Sequence, residues 1–260
     1  MLTTFATYGM ITSNLTRSLN TTAAQPEVAR ESAYYLANIE NVKSIDDFLA
    51  NDRLFSFAMK AYGLGDMTYA KAFMRKVLTE GIDDSKSFAN TLSDKRYLEF
   101  ATAFNFARYG DTTTIFDRTR QGTVDNYVRQ TLEQDAGAQN EGVRLALYFQ
   151  RKASSITSPY SILADSALLK VVQTALGIPA ASSSMDIDLQ AKMISNRVDV
   201  TDFQDPDKLN KFIARFAAMW EVDNPTTSAA SPAVLFAQPL ETGIGMDLLS
   251  SLQNLKLGGH

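Results

Sequence analysis

Three observations predict an all-α protein. Apolar residues recur at spacings of three and four along most of the chain, and strict period-two alternation is almost absent. Glycines stand where the apolar faces stop, at Gly63, Gly65, Gly81, Gly110 and Gly177. The densest helical stretch, Ser44 to Gly65, also has a second copy at Ser158 to Pro179, shifted by about 114 positions.

The elements follow in order. Residues 3–22 read as one helix of mixed polarity through Phe5, Tyr8, Ile11, Leu15 and Leu19. Pro26 suits a first helical turn and opens a helix to residue 41 through Val28, Tyr34, Tyr35 and Ile39. The stretch from Ser44 reads as one helix capped by Asp46 or Asp47, with Leu49, Leu54, Phe57, Ala58, Ala61 and Tyr62 inward. Asp66 is expected to cap the next helix, which Gly81 ends. Ser93 or Asp94 opens another, with Tyr97, Phe100, Ala101 and Phe104 inward and Gly110 as its stop. Residues 123–135 follow, then 140–153, 161–176 and 188–197. Asp205-Pro206-Asp207 is a strong start: an aspartate cap, a proline at the first position and an acid in the first turn. The one β-like run, residues 234–240, contains Pro239 and is demoted by it.

At the shift of 114, about eleven of 41 positions from Ala24 to Leu64 are identical, against roughly three expected from composition. A tandem duplication of a roughly five-helix unit is the expectation, with units at 1–111 and 112–222 packed into a bundle-like body. Residues 223–245 have linker composition, and 246–260 form a short amphipathic tail.

Composition narrows the function classes. The net charge is −4 and the charges are interspersed, so no basic field suits nucleic acid. With no cysteine, thiolate metal sites and nucleophiles are excluded; the single histidine, His260, ends the chain. No run of about 18 apolar residues suggests a membrane span. The N-terminus lacks a basic segment followed by an apolar one, so no secretory signal is read and the expected location is the cytoplasm or export by a dedicated apparatus. No cofactor or metal is expected.

Few residues suggest chemistry. Asp46, Asp47 and Asp52, with Asp83 and Asp84, could serve a cation or an acid pair, but capping and solvation explain them. Glu27 with Arg30, and Glu141 with Arg144, recur as pairs three apart and predict a shared ion pair. Lys95-Arg96, Arg118, Arg120 and Arg151-Lys152 read as solvated basic spots. Most aromatic rows read as core, with Phe106 and Tyr109 as exposed exceptions and so candidates for partner binding. Leu249, Leu252, Leu255 and Leu257 in the tail are the other candidates, because their apolar face needs a partner.

The runs IDDFLANDRLFSFAMKAYGLGDMTYAKAFMRKVL, SFANTLSDKRYLEFATAFNF, RQTLEQDAGAQNEGVRLALYFQRKAS and DIDLQAKMISNRVDVTDFQDPDKLNKFIARF, with the terminal DLLSSLQNLKLGG, cover nearly the whole chain. They resemble an alphaproteobacterial family of unknown function whose genes tend to sit in flagellar gene clusters. The resemblance implies a flagellar setting and brings no catalytic residue. The two ends, expected to lie outside the packed repeat, resemble the paired terminal helices of flagellar axial proteins, which also tend to lack cysteine. Together these readings give a non-enzymatic structural or assembly protein acting through helix-mediated contacts, with flagellar partners and a homo-oligomer through the terminal helices as expectations. The alternatives are a flagellar export chaperone or adaptor, and a carboxylate-dependent peptidoglycan hydrolase.

Overall fold

The structure, a computed structural model, describes residues 3–225, and side-chain caps decide where its helices begin. Thr3 opens α1 (Thr4–Ser13), and Asn14 opens α2 (Leu15–Ala23). Pro26 is the first residue of α3 (Pro26–Asn38), which runs on into a 3-10 turn at Ile39–Asn41. Ser44 caps α4 (Ile45–Ala50) and Asn51 caps α5 (Asp52–Ala61). Next come α6 (Lys71–Glu80), α7 (Phe88–Thr91), α8 (Arg96–Ala103) and α9 (Phe106–Tyr109). Short 3-10 turns lead to the longest helix, α10 (Gln121–Gln139). The second half holds α11 (Glu141–Lys152), α12 (Pro159–Leu163), α13 (Ser166–Leu176), α14 (Ile187–Ser195) and α15 (Pro206–Asp223). The fold is all-α, with no strand among the described residues.

Four helices predicted as continuous are each broken in two. Asn14, Asn51 and Asp165 each turn a side-chain oxygen onto amides of the following turn, at 3.0 Å from Arg17, 3.1 Å from Leu54 and 2.9 Å from Ala167. Those bonds cap a new helix instead of continuing the old one. Ser44, not Asp46 or Asp47, caps α4, accepting from the Asp47 amide at 3.0 Å. Asp66 lies in a 3-10 turn, Gly65–Met67, and does not cap α6. The helix expected to run on to Gly110 breaks at Phe104, where Asn105 caps α9.

Four of the five glycine stops hold: Gly63, Gly81, Gly110 and Gly177 all have positive φ, whereas Gly65 begins the 3-10 turn Gly65–Met67. Gly81, at φ 64° and ψ −148°, occupies a region open essentially to glycine, and a Cβ there would lie 2.7 Å from that of Ala107. Gly177 has a left-handed helical conformation, and a Cβ placed on it would meet nothing within 4 Å. Gly81→Ala is therefore expected to cost about 2–3 kcal/mol, and Gly177→Ala about 1 kcal/mol. Urea midpoints of the two variants check the order; equal losses would refute it.

The same local structures recur at the shift of 114. The 3-10 turns at Ile39–Asn41 and Ala153–Ser155 correspond, and each is followed by a buried aliphatic residue, Val42 or Ile156. Ser44 and Ser158 cap α4 and α12; Asn51 and Asp165 cap α5 and α13. After α5 the Leu64 amide donates to the Met59 carbonyl at 2.8 Å, and after α13 the Ile178 amide donates to that of Gln173 at 2.8 Å.

The described residues as far as Asn224 form one unit with two apolar clusters. The first draws on Val28 through Val128, including Val124, Tyr127 and Val128 of α10, so it does not stop at residue 111. The second draws on residues 143–220 and on Tyr8 of α1. The N-terminal helix, expected outside the repeat, is thus docked on the second half. Thr4 is fully buried there: its amide donates to Glu221 of α15, and its hydroxyl accepts from Asn140 Nδ2 at 3.0 Å. The linker and tail at 226–260 lie outside the described residues.

Gly142 makes this docking possible. At the shift of 114 it corresponds to the buried Val28, but a Cβ on it would lie 2.5 Å from Trp220 Cδ1 and 2.9 Å from Thr4 Cγ2. Gly142→Ala is expected to cost about 1–3 kcal/mol by forcing α1 and the indole apart. Trp220 is the sole tryptophan and is buried, so its emission maximum should move to the red. An unchanged maximum together with an unchanged unfolding midpoint would count against the contact.

Candidate functional site

Between α5 and α8 on one side, and α11 and the α12–α13 junction on the other, runs a cleft of about 1000 Å³ floored by α10. That is at the upper end of the volumes that hold small ligands. Asn126, Gln130 and Gln134 lie four apart on one face of α10 and line the floor. The first-half wall is set by the glycine stop after α5: the Gly63 carbonyl accepts from Arg96 Nη1, and Arg96 Nη2 reaches Asp94 Oδ2 at 2.7 Å. Partial burial works against the charge of Asp94, yet the hydrogen bonds from Arg96 hold its carboxyl below the ordinary carboxylate range.

The second-half wall is a network. Tyr148 donates to Asp165 Oδ2 at 2.5 Å, and Asp165 caps α13 through the amides of Ala167 and Leu168. Burial, and then the Asp165 carboxylate, push the Tyr148 phenol far above its usual range. It is held as a hydrogen-bond donor, not as a base. The Arg151 guanidinium sits 5.0 Å from the Tyr148 ring centroid. Arg151 also grips Glu133 through two bonds, Nε to Oε1 at 2.7 Å and Nη2 to Oε2 at 2.8 Å, and reaches Gln130 Oε1 at 3.1 Å. Glu133 is only 1% exposed and takes a second arginine, Arg129, at 3.1 Å. Across the mouth, Lys152 Nζ of α11 donates to Glu99 Oε2 of α8 at 2.6 Å and ties the two walls together.

The residues singled out from sequence fall elsewhere. Phe106, expected to be exposed, is 6% exposed, with its ring centroid 6.0 Å from that of Phe48. The break at Phe104–Asn105 turns it back into the core. Tyr109 is half-buried against Phe116, with the Arg118 guanidinium 4.6 Å from its ring centroid. Neither joins the cleft, and Leu249, Leu252, Leu255 and Leu257 lie outside the described residues. Asp46, Asp47 and Asp52 are exposed; Asp46 pairs with Arg75, Asp52 with Lys71 at 2.5 Å, and Asp47 accepts from the Lys43 amide at 3.1 Å. The predicted shared ion pair forms only in the second half, where Arg144 Nε meets Glu141 at 2.8 Å; Arg30 turns instead to Glu31 at 3.6 Å. Arg96, Arg118 and Arg151 are not free solvated charges: each is half-buried and bonded within the body. Sequence reading missed the row of carboxamides and the Glu133 cluster. The spacing of four in both Asn126/Gln130/Gln134 and Arg129/Glu133 was the available signal.

Fold and cleft together define an all-α protein with a polar cleft in which Asp94, Glu99 and Asp165 are each tied to a neighbouring side chain. The chain belongs to the family described as protein of unknown function (DUF1217), whose profile matches residues 61–209. It is similar to an Agrobacterium tumefaciens protein with an X-ray crystal structure, at 49% identity and a TM-score of 0.80, covering 85% of this chain and 94% of that one. No curated protein matches it. No helix among the described residues is long and apolar enough to cross a membrane.

Proposed function

We propose that the chain is a non-enzymatic assembly protein that recognises other proteins, built from a duplicated helical unit and working in the bacterial flagellum. The observation that carries the recognition role is the pairing of side chains in the cleft wall and just behind it. Asp94 is held by Arg96, Glu99 by Lys152, Glu133 by two arginines, and Asp165 by Tyr148 and a helix N-terminus. Groups tied to one another in this way shape a surface; a general acid or base needs a proton aimed at substrate. The flagellar setting is supported by the sequence resemblance, and the duplication by the recurring caps and turns. The hydrolase alternative loses the residues it stood on, since Asp46, Asp47 and Asp52 are exposed and engaged elsewhere.

The test is genetic and biochemical. Deleting the gene is expected to impair swimming and reduce the number of hooks, with wild-type chain restoring both. Cells with and without an intact flagellar export gate, fractionated and blotted, then separate an exported component from a cytoplasmic chaperone or adaptor. Normal motility and normal hook number in the deletion strain would overturn the flagellar assignment.

A further inference from the structure

We infer that the cleft binds an extended polypeptide segment, whose backbone is read by the carboxamides of Asn126, Gln130 and Gln134. This rests on the reading of the chain as a protein-recognition body and names the form of the ligand.

The spacing argues for it. Residues four apart on a helix rise by about 6 Å, and two residues of extended chain by about 6.6 Å, so successive carboxamides meet alternate peptide groups. Over the row of three, about 12 Å, the mismatch stays near 1 Å, which side-chain rotamers absorb. A carboxamide is suited to the task because it carries both a donor and an acceptor, as a peptide group does. The row is also open. Asn126 and Gln130 are partly exposed on the floor, and Gln134 is exposed. Gln130 accepts from Arg151 Nη2 through Oε1, which orients its Nε2 as the free donor. Gly63 adjoins it: a Cβ there would come 3.5 Å from Gln130 Nε2, so the absent side chain leaves room for a backbone to approach.

The walls suit a chain bearing side chains of both signs. Lys60 and Asp66 both line the cleft, and neither is on the second-half wall. A peptide laid along α10 would pass between them and the Tyr148 side.

The test uses the full chain and phage-displayed random twelve-residue peptides, with selected peptides resynthesised and titrated. Asn126→Ala and Gln134→Ala suit the purpose: Gln134 is exposed, Asn126 is partly exposed beside the Tyr62 hydroxyl, and alanine favours helix. Each is expected to weaken the selected peptides about five- to tenfold while the unfolding midpoint stays put. Selected peptides that bind both variants as tightly as the wild type would overturn the cleft assignment and leave protein recognition standing at another surface. Failure to enrich any peptide would overturn it too. Chitotetraose binding that depends on the same carboxamides, with no peptide enriched, would assign the cleft to glycan and overturn the protein-recognition reading with it.

Discussion

Phe48→Ala is expected to lower the midpoint of thermal unfolding by roughly 6–20 °C. Phe48 is fully buried at the centre of an aromatic group: its ring stacks on Phe104 at 4.9 Å between centroids and meets Phe55 edge-on at 5.7 Å. Phe100 and Phe106 close the other sides at 6.3 and 6.0 Å. Truncating such a ring leaves a cavity whose walls are themselves rigid rings on three helices, so the site collapses poorly. Losses of about 3–5 kcal/mol are usual for buried phenylalanine to alanine, and each kcal/mol moves the midpoint of a body this size by about 2–4 °C. Phe48→Leu keeps most of the volume and should lose less than half as much. Far-ultraviolet circular dichroism on heating provides the measurement. A fall below about 2 °C for the alanine variant would show that the aromatic group is not the keystone of the first half.

This core was legible in the sequence, and the cleft was not, for a physical reason. Phe48, Phe55, Phe57, Phe100 and Phe104 reveal themselves by spacing along their own helices, and burial follows from the apolar face alone. The helix stops were legible as well: Gly63, Gly81, Gly110 and Gly177 were read as ends, and each takes a positive φ. The breaks at Asn14, Asn51 and Asp165 were present in the residue types, which favour caps. They were overlooked because the apolar period continues across each break, with both short helices facing the same core. The cleft is different in kind. Its bonds join Lys152 to Glu99, Arg96 to Gly63 and Arg151 to Glu133, partners separated by 53, 33 and 18 positions. Taken singly, each of these arginines and lysines looks like an ordinary solvated charge. Phe106 was misplaced by the same kind of gap, since one capping asparagine rotates the following turn.

Glu133→Ala should cost about 3–5 kcal/mol and damage the cleft as well as the fold. The carboxylate holds Arg129 and Arg151 together, with its own side chain 1% exposed and theirs 12% and 25%. Removing it leaves two guanidinium groups close together, largely out of water, and without their anion; breaking one side of a buried pair carries a penalty of this size. Because Arg151 retains some exposure, it can swing outward and relieve part of the repulsion, which places the loss near the lower end. That swing would pull Arg151 off Gln130 and away from the Tyr148 ring, so the middle carboxamide of the floor and the second-half wall would loosen together. Two further variants separate charge from packing. Arg129→Met with Arg151→Met, added to Glu133→Leu, replaces the cluster by apolar groups and should recover most of the stability, because desolvating the ions is no longer required. It should not recover peptide binding, since Gln130 has lost the partner that orients it. Urea unfolding of the single and triple variants measures the first effect, and titration with a selected peptide measures the second. A single variant within about 1 kcal/mol of wild type would mean that the arginines find other partners. A triple variant that binds peptide normally would show that the cluster serves the fold alone.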